Sequence, residues 1–122
     1  MTKDSQRRYL ILLPAPEEEW ARLPESEHEL GMQNHQRFHE ALAARGHTLV
    51  MGNPLEASEQ AISMRNTGRG SAIVTDGPFT ESTEQMVGFY LIESGDETDL
   101  LEVVRSFAEG GDHVEFRRLA AG

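Results

Sequence analysis

The chain has no cysteine and a single lysine, Lys3, among its 122 residues. Without thiols there are no disulfides, no thiolate metal sites and no cysteine nucleophile. With so little lysine, ten arginines face 21 acidic residues, and the formal net charge is −10. Such a chain repels phosphate backbones, which excludes direct nucleic-acid binding as the expected function. Long apolar runs are missing too. The stretch Tyr9–Leu13 is too short for a signal-peptide core or a membrane span, so no membrane association is expected and the cytoplasm is the expected location. No serine or threonine sits in a nucleophile elbow, and Gly68-Arg69-Gly70 lacks the following helix that a phosphate loop needs.

What is present is enough to close a core. Hydrophobic residues make up 38% of the chain and fall in periodic clusters, which predicts one folded domain spanning 1–122. Tyr9–Leu13 is apolar on both alternating faces and ends at Pro14 and Pro16, as a central strand does. Glu17–Trp20 reads as a loop or short helical turn. Ser26-x-x-Glu29 has the form of a capping box, predicting a helix that stops at Gly46 with Phe38, Ala41 and Leu42 on its apolar face. His47–Met51 reads as a strand. Gln60–Arg65 and Ser71–Thr75 flank turn residues and predict a hairpin. Asp76-Gly77-Pro78-Phe79 is a tight turn with Phe79 packed inward, and Thr80–Gln85 follows as one helical turn. Val87–Ile92 predicts a second central strand. Leu100, Val103, Val104 and Phe107 repeat at helical spacing behind Asp96 and Asp99, and the helix ends at Gly110-Gly111. His113–Leu119 is a closing strand.

Apart from the extra hairpin, this order predicts an α+β ferredoxin-like βαββαβ sandwich with both helices on one sheet face. The two central strands are apolar on their other face as well. A second copy of the sheet would cover it, so a homodimer is expected.

The run Asp76-Gly77-Pro78-Phe79-Thr80-Glu81, joined to Glu84, Gly88 and Tyr90 downstream, resembles the YCII-related, DGPF-motif family. The likeness extends from Tyr9 to Val114–Arg117 and takes in Gly52-Asn53-Pro54-Leu55. Thr83 stands where the family often carries Lys, and no proline follows the second helix. The resemblance implies a dimeric α+β barrel of ferredoxin-like protomers. It implies small-molecule binding or cofactor-independent chemistry by a His and an Asp in a cleft, and in some members a link to an extracytoplasmic-function sigma factor.

His28, His35 and His39 span about 40° of the first helix at 100° per residue, so they share a face. That face borders Phe38 and Leu42, placing His35 at the core's edge. There it serves either as a half-buried packing residue or as an acid/base group whose tautomer a carboxylate fixes. Asp76 follows a strand, where its carboxylate either accepts turn N–H groups or orients His35. The functional reading makes His35 and Asp76 the catalytic pair, with Phe38, His39, Phe79 and Glu81 around a small anionic or organic ligand. Glu81 and Glu84 would share a face if Thr80–Gln85 were helical. His35 and His39 have metal-ligand spacing, yet no further ligand motif accompanies them, and neither metal nor cofactor is expected. His47 and His113 are expected to face solvent. A non-catalytic alternative gives the acidic surface a basic protein partner.

Overall fold

The computed structural model describes residues 6–121; the segment 1–5, which carries Lys3 and most of the polar N-terminus, and residue 122 lie outside the described residues. Strand β1 (Arg7–Pro16) leads directly into helix α1 (Glu17–Arg22), followed by helix α2 (Glu25–Ala44) and strand β2 (Thr48–Pro54). A 3-10 turn at Ser58–Gln60 precedes β3 (Ile62–Gly68) and β4 (Ser71–Asp76). Then come β5 (Glu84–Ser94), α3 (Glu97–Glu109) and β6 (Glu115–Arg118). The mixed α+β architecture is the expected one.

Four strands form one sheet in the order β2-β5-β1-β6, and β3 pairs with β4 in a separate two-stranded sheet. Every pairing is antiparallel. The sheet is open, and no closed barrel forms among the described residues of one chain. Its central strands are β1 and β5, whose double-sided apolar character was legible in the sequence.

Alternation decides what faces the helices. Tyr9, Ile11 and Leu13 of β1 and Tyr90 and Ile92 of β5 are buried in one cluster with Phe38 and Leu42 of α2 and Leu100, Val103, Val104 and Phe107 of α3. Each such side chain contributes on the order of 1.5–3 kcal/mol through removal of apolar surface from water. The alternate residues Leu10, Leu12, Phe89 and Leu91 point to the opposite sheet face and are half-buried.

Helix α2 ends as expected, with Gly46 at φ +83°, the left-handed conformation that glycine adopts without strain. Its start differs. Pro24 occupies the cap position and no side chain caps the helix, so Ser26 lies inside the first turn and the Ser26/Glu29 box does not form. Thr80–Gln85 is not helical: the Gln85 side-chain amide donates to the Thr80 and Ser82 carbonyls and holds the segment as a bend before β5. Asp96 caps α3 by accepting from the Asp99 N–H at 3.1 Å.

His47 is a further correction. It is 6% exposed rather than solvent-facing, with Nδ1 2.8 Å from Ser94 Oγ and Nε2 2.8 Å from Asp99 Oδ2. It ties the start of β2 to the start of α3. His113 is exposed, as expected.

Candidate functional site

The i, i+4 relation on α2 sends the imidazoles of His35 and His39 toward the same neighbour, the Tyr90 hydroxyl on β5. Nδ1 of His35 lies 2.6 Å from that oxygen and Nε2 of His39 lies 2.9 Å from it. Tyr90 reaches them because Gly52, opposite it on β2, has no side chain. A Cβ at Gly52 would be driven into the Tyr90 ring. Phe107 closes the floor, edge-on to His35 and stacked on Phe38 at 4.3 Å between ring centroids.

A carboxylate stands on the other side of His35. Its Nε2 is 3.3 Å from Asp112 Oδ1, and the second carboxylate oxygen accepts from the Asn34 amide at 2.8 Å. The same amide nitrogen donates to the Phe107 carbonyl at 2.9 Å, so both of its hydrogens are used. Asn34 is 4% exposed and fits because it faces Gly110, where a Cβ would collide with its amide. Gly111, at φ +126°, turns the chain back from α3 and brings Asp112 to α2.

These contacts admit one consistent arrangement of protons. If His35 donates from Nε2 to the Asp112 carboxylate, its bare Nδ1 accepts the Tyr90 O–H, and the Tyr90 oxygen accepts the His39 Nε2–H. The alternative tautomer would set a bare Nε2 against a carboxylate. Burial, followed by the Asp112 charge, pushes Tyr90 up to about 12, so the phenol stays protonated. His39 is lowered, first by desolvation and then by His35, so it is neutral near pH 7 with Nδ1 free to accept a proton.

The residues expected to form one cleft lie in two places. Phe38 is buried in the core beside His35, and His39 stands on the exposed rim. Asp76 ends β4 opposite Ile62 and is exposed; its turn is held by the Gly77 N–H donating to the Ala61 carbonyl at 2.7 Å. The orienting position on His35 that was expected of Asp76 is held by Asp112. Phe79 is 60% exposed instead of packed inward, with the Arg65 guanidinium 4.5 Å above its ring. Asp76, Phe79 and Glu81 line an open cleft of about 220 Å³, and Phe79 also walls a larger one of about 640 Å³ beside Leu55, Ala61 and Met86. Among the described residues no cluster of His, Asp and Glu has the arrangement of a metal site.

Tyr90, Asp112 and Asn34 were missed as site residues. Tyr90 carried a usable signal, since alternation along β5 puts it on the helix side with Ile92. Asp112 carried a weaker one, an acid directly after a Gly-Gly helix stop. Asn34 carried none, because a polar residue beside an apolar stripe ordinarily faces water.

Comparison with known proteins agrees with the motif. A model of the YCII-related domain matches residues 8–117. An uncharacterised protein of Rhizobium meliloti (strain 1021) is 40% identical over 48 residues, which is 39% of this chain. The match spans 38% of that protein's length. With the family model covering nearly the whole described chain, the protein belongs to the YCII-related domain family.

Proposed function

We propose that the protein binds a small organic molecule at the His35 cluster and moves a proton on it without a cofactor. The observation that carries this reading is the single Tyr90 hydroxyl held between His35 Nδ1 and His39 Nε2, at 2.6 and 2.9 Å, with Asp112 behind His35. A buried tyrosine needs one hydrogen-bond partner, so two imidazoles and a braced carboxylate exceed what packing asks for. In the proposed step, His39 Nδ1 takes a proton from the ligand. Its Nε2–H passes to the Tyr90 oxygen as the Tyr90 proton passes to His35 Nδ1. The positive charge then resides on His35 beside Asp112, where the attraction stabilises it. Running the step backward returns the proton to another ligand atom, which amounts to an isomerisation.

Nitrogen-15 NMR of the imidazoles tests the arrangement. Neutral His35 and His39 should both be Nε2–H tautomers, and Tyr90→Phe should move the ring-nitrogen resonances of both. A neutral His35 carrying its proton on Nδ1 would sink the relay.

The protomer's strand order and one-sided helices support a ferredoxin-like fold, and its half-buried outer face supports a dimeric α+β barrel with a second copy. A cytoplasmic location is consistent with the absence, among the described residues, of a helix long and apolar enough to cross a membrane. The exposed apolar residues of the β3–β4 hairpin, Ile62, Met64 and Val74, favour a second reading as an interaction protein. A basic partner such as an extracytoplasmic-function sigma factor would suit its charge, and a complex that ignores ionic strength would count against that partner.

A further inference from the structure

The turn at Asp76, which the relay does not use, stands between two clefts of different chemistry. Ser63, Pro78 and Phe79 line both, so Phe79 is a wall common to the two. No residue of the His35 cluster lines either one. The larger cleft, of about 640 Å³, has Leu55, Ala57, Ala61 and Met86 among its walls. Most of its polar lining is already bonded within the protein. Ser58 Oγ donates to the Glu17 carboxylate at 2.6 Å, Ser63 Oγ donates to the Gly77 carbonyl at 2.7 Å, and the Gln85 amide donates to the Thr80 and Ser82 carbonyls. Only Glu56 and Gln60 remain, both exposed. The same bonds tie the walls to one another, and the enclosed volume suits a small molecule with an apolar body.

The smaller cleft, of about 220 Å³, is lined by residues of both charges, Arg65 against Asp76 and Glu81. Arg65 reaches it because Ser63 pairs with Thr75 and Arg65 with Ile73 across the hairpin, which sets Ser63, Arg65 and Thr75 on one face. The arginine pairs with neither acid. Its guanidinium lies 4.5 Å over the Phe79 ring, and the ion pairs among the described residues use other arginines. A guanidinium held by its face keeps its N–H edge for a planar anion, and a carboxylate fits that edge bidentately. A ligand with a carboxylate alone would meet repulsion from the two acids, and one with an ammonium alone would meet Arg65. A ligand carrying both groups satisfies both signs at once.

We infer that the two clefts together bind a free α-amino acid with an apolar side chain. Its carboxylate meets Arg65 and its ammonium meets the acids of the smaller cleft, while its side chain passes Phe79 into the larger one. The site does not depend on the His35 reading. The probes are L-phenylalanine, glycine, hydrocinnamate and phenethylamine, followed through the Gly77 and Phe79 backbone amide resonances of nitrogen-15-labelled protein. L-Phenylalanine should shift both resonances saturably by about 10 mM. Hydrocinnamate lacks the ammonium and phenethylamine the carboxylate, so each should bind about tenfold more weakly. Glycine, which leaves the larger cleft empty, should weaken by about the same factor. Arg65→Gln and Phe79→Ala should each lose about tenfold for L-phenylalanine, as should at least one of Asp76→Asn and Glu81→Gln.

The inference is overturned if L-phenylalanine leaves the two resonances unmoved, or if glycine or either singly charged analogue binds as tightly. Unchanged affinity in Arg65→Gln, or in both acid variants, would overturn it as well. His35→Gln separates this site from the His35 cluster. That variant should bind L-phenylalanine as the wild type does, and loss of binding there with none in Arg65→Gln would assign the ligand to the His35 cluster instead.

Discussion

The Asn34 amide donates to the Asp112 carboxylate at 2.8 Å while its second hydrogen is held by the Phe107 carbonyl, so one buried side chain fixes both the end of α3 and the acid facing His35. Replacing Asn34 with Leu leaves the Phe107 carbonyl with only the Gly110 N–H at 3.1 Å and takes the donor from one oxygen of the Asp112 carboxylate. A loss of about 0.5–1.5 kcal/mol in urea-unfolding stability is expected for each hydrogen bond removed. Gly110→Ala should destabilise by a comparable route, because its Cβ meets the same amide. If both variants unfold at the wild-type urea midpoint, the buried bracket does not exist in solution.

Tyr90 gives a prediction at high pH. Its folded pKa is pushed up to about 12 from 10.0, chiefly by burial. Between those values the unfolded chain releases the proton and the folded chain keeps it. Stability is therefore fully retained below pH 10 and falls as pH rises from 10 toward 12. In Tyr90→Phe this part of the alkaline decline should disappear, which unfolding midpoints measured across that range would read directly.

At low pH the corresponding group is Asp99. Hydrogen bonds from His47 and then Arg45 hold its carboxyl below the usual 3.8. A depressed acid stabilises the fold above its unfolded pKa and loses that contribution as pH falls through the folded value. Wild type should therefore weaken below about pH 4, and Asp99→Asn should show a shallower acid decline from a lower starting stability. An identical acid limb in the variant would show that the bridge to His47 is not formed.

The contrast between His47 and Phe38 shows which features the sequence carried. Phe38, like Leu100 and Phe107, belongs to a repeating apolar stripe, and burial of such stripes is set by period alone. His47 stands alone after a glycine, and only the register of β2 against β5 puts it over Ser94 and Asp99. The candidate site divides in the same way. His35 and His39 share a face by helical arithmetic. Their actual acid partner depends on how far α3 runs before Gly111 turns the chain, a tertiary length that no local pattern encodes. Asp76 had the stronger local signal, a carboxylate in a Gly-Pro turn, but the hairpin carries it away to a separate cleft.

The outer sheet face supplies the last prediction. Leu10 pairs with Leu91 and Leu12 with Phe89 across β1 and β5, forming a contiguous apolar strip on the face without helices. The strip stays half-buried within the described chain, and contiguous apolar surface of this kind marks an interface. A twofold partner presenting the same strip would satisfy it, since the pattern is self-complementary. Light scattering should then give twice the 13.6 kDa chain mass. Phe89→Lys and Leu12→Lys each place a charge at the strip's centre without touching the helix-side core, so each should yield monomers that retain the wild-type circular dichroism. A wild-type protein that scatters as a monomer at micromolar concentration would refute the sheet-to-sheet dimer outright, and a dimer that survives both lysine variants would assign the interface to another surface, with the exposed β3–β4 hairpin next in line because an isolated two-stranded hairpin is marginal without something to pack against.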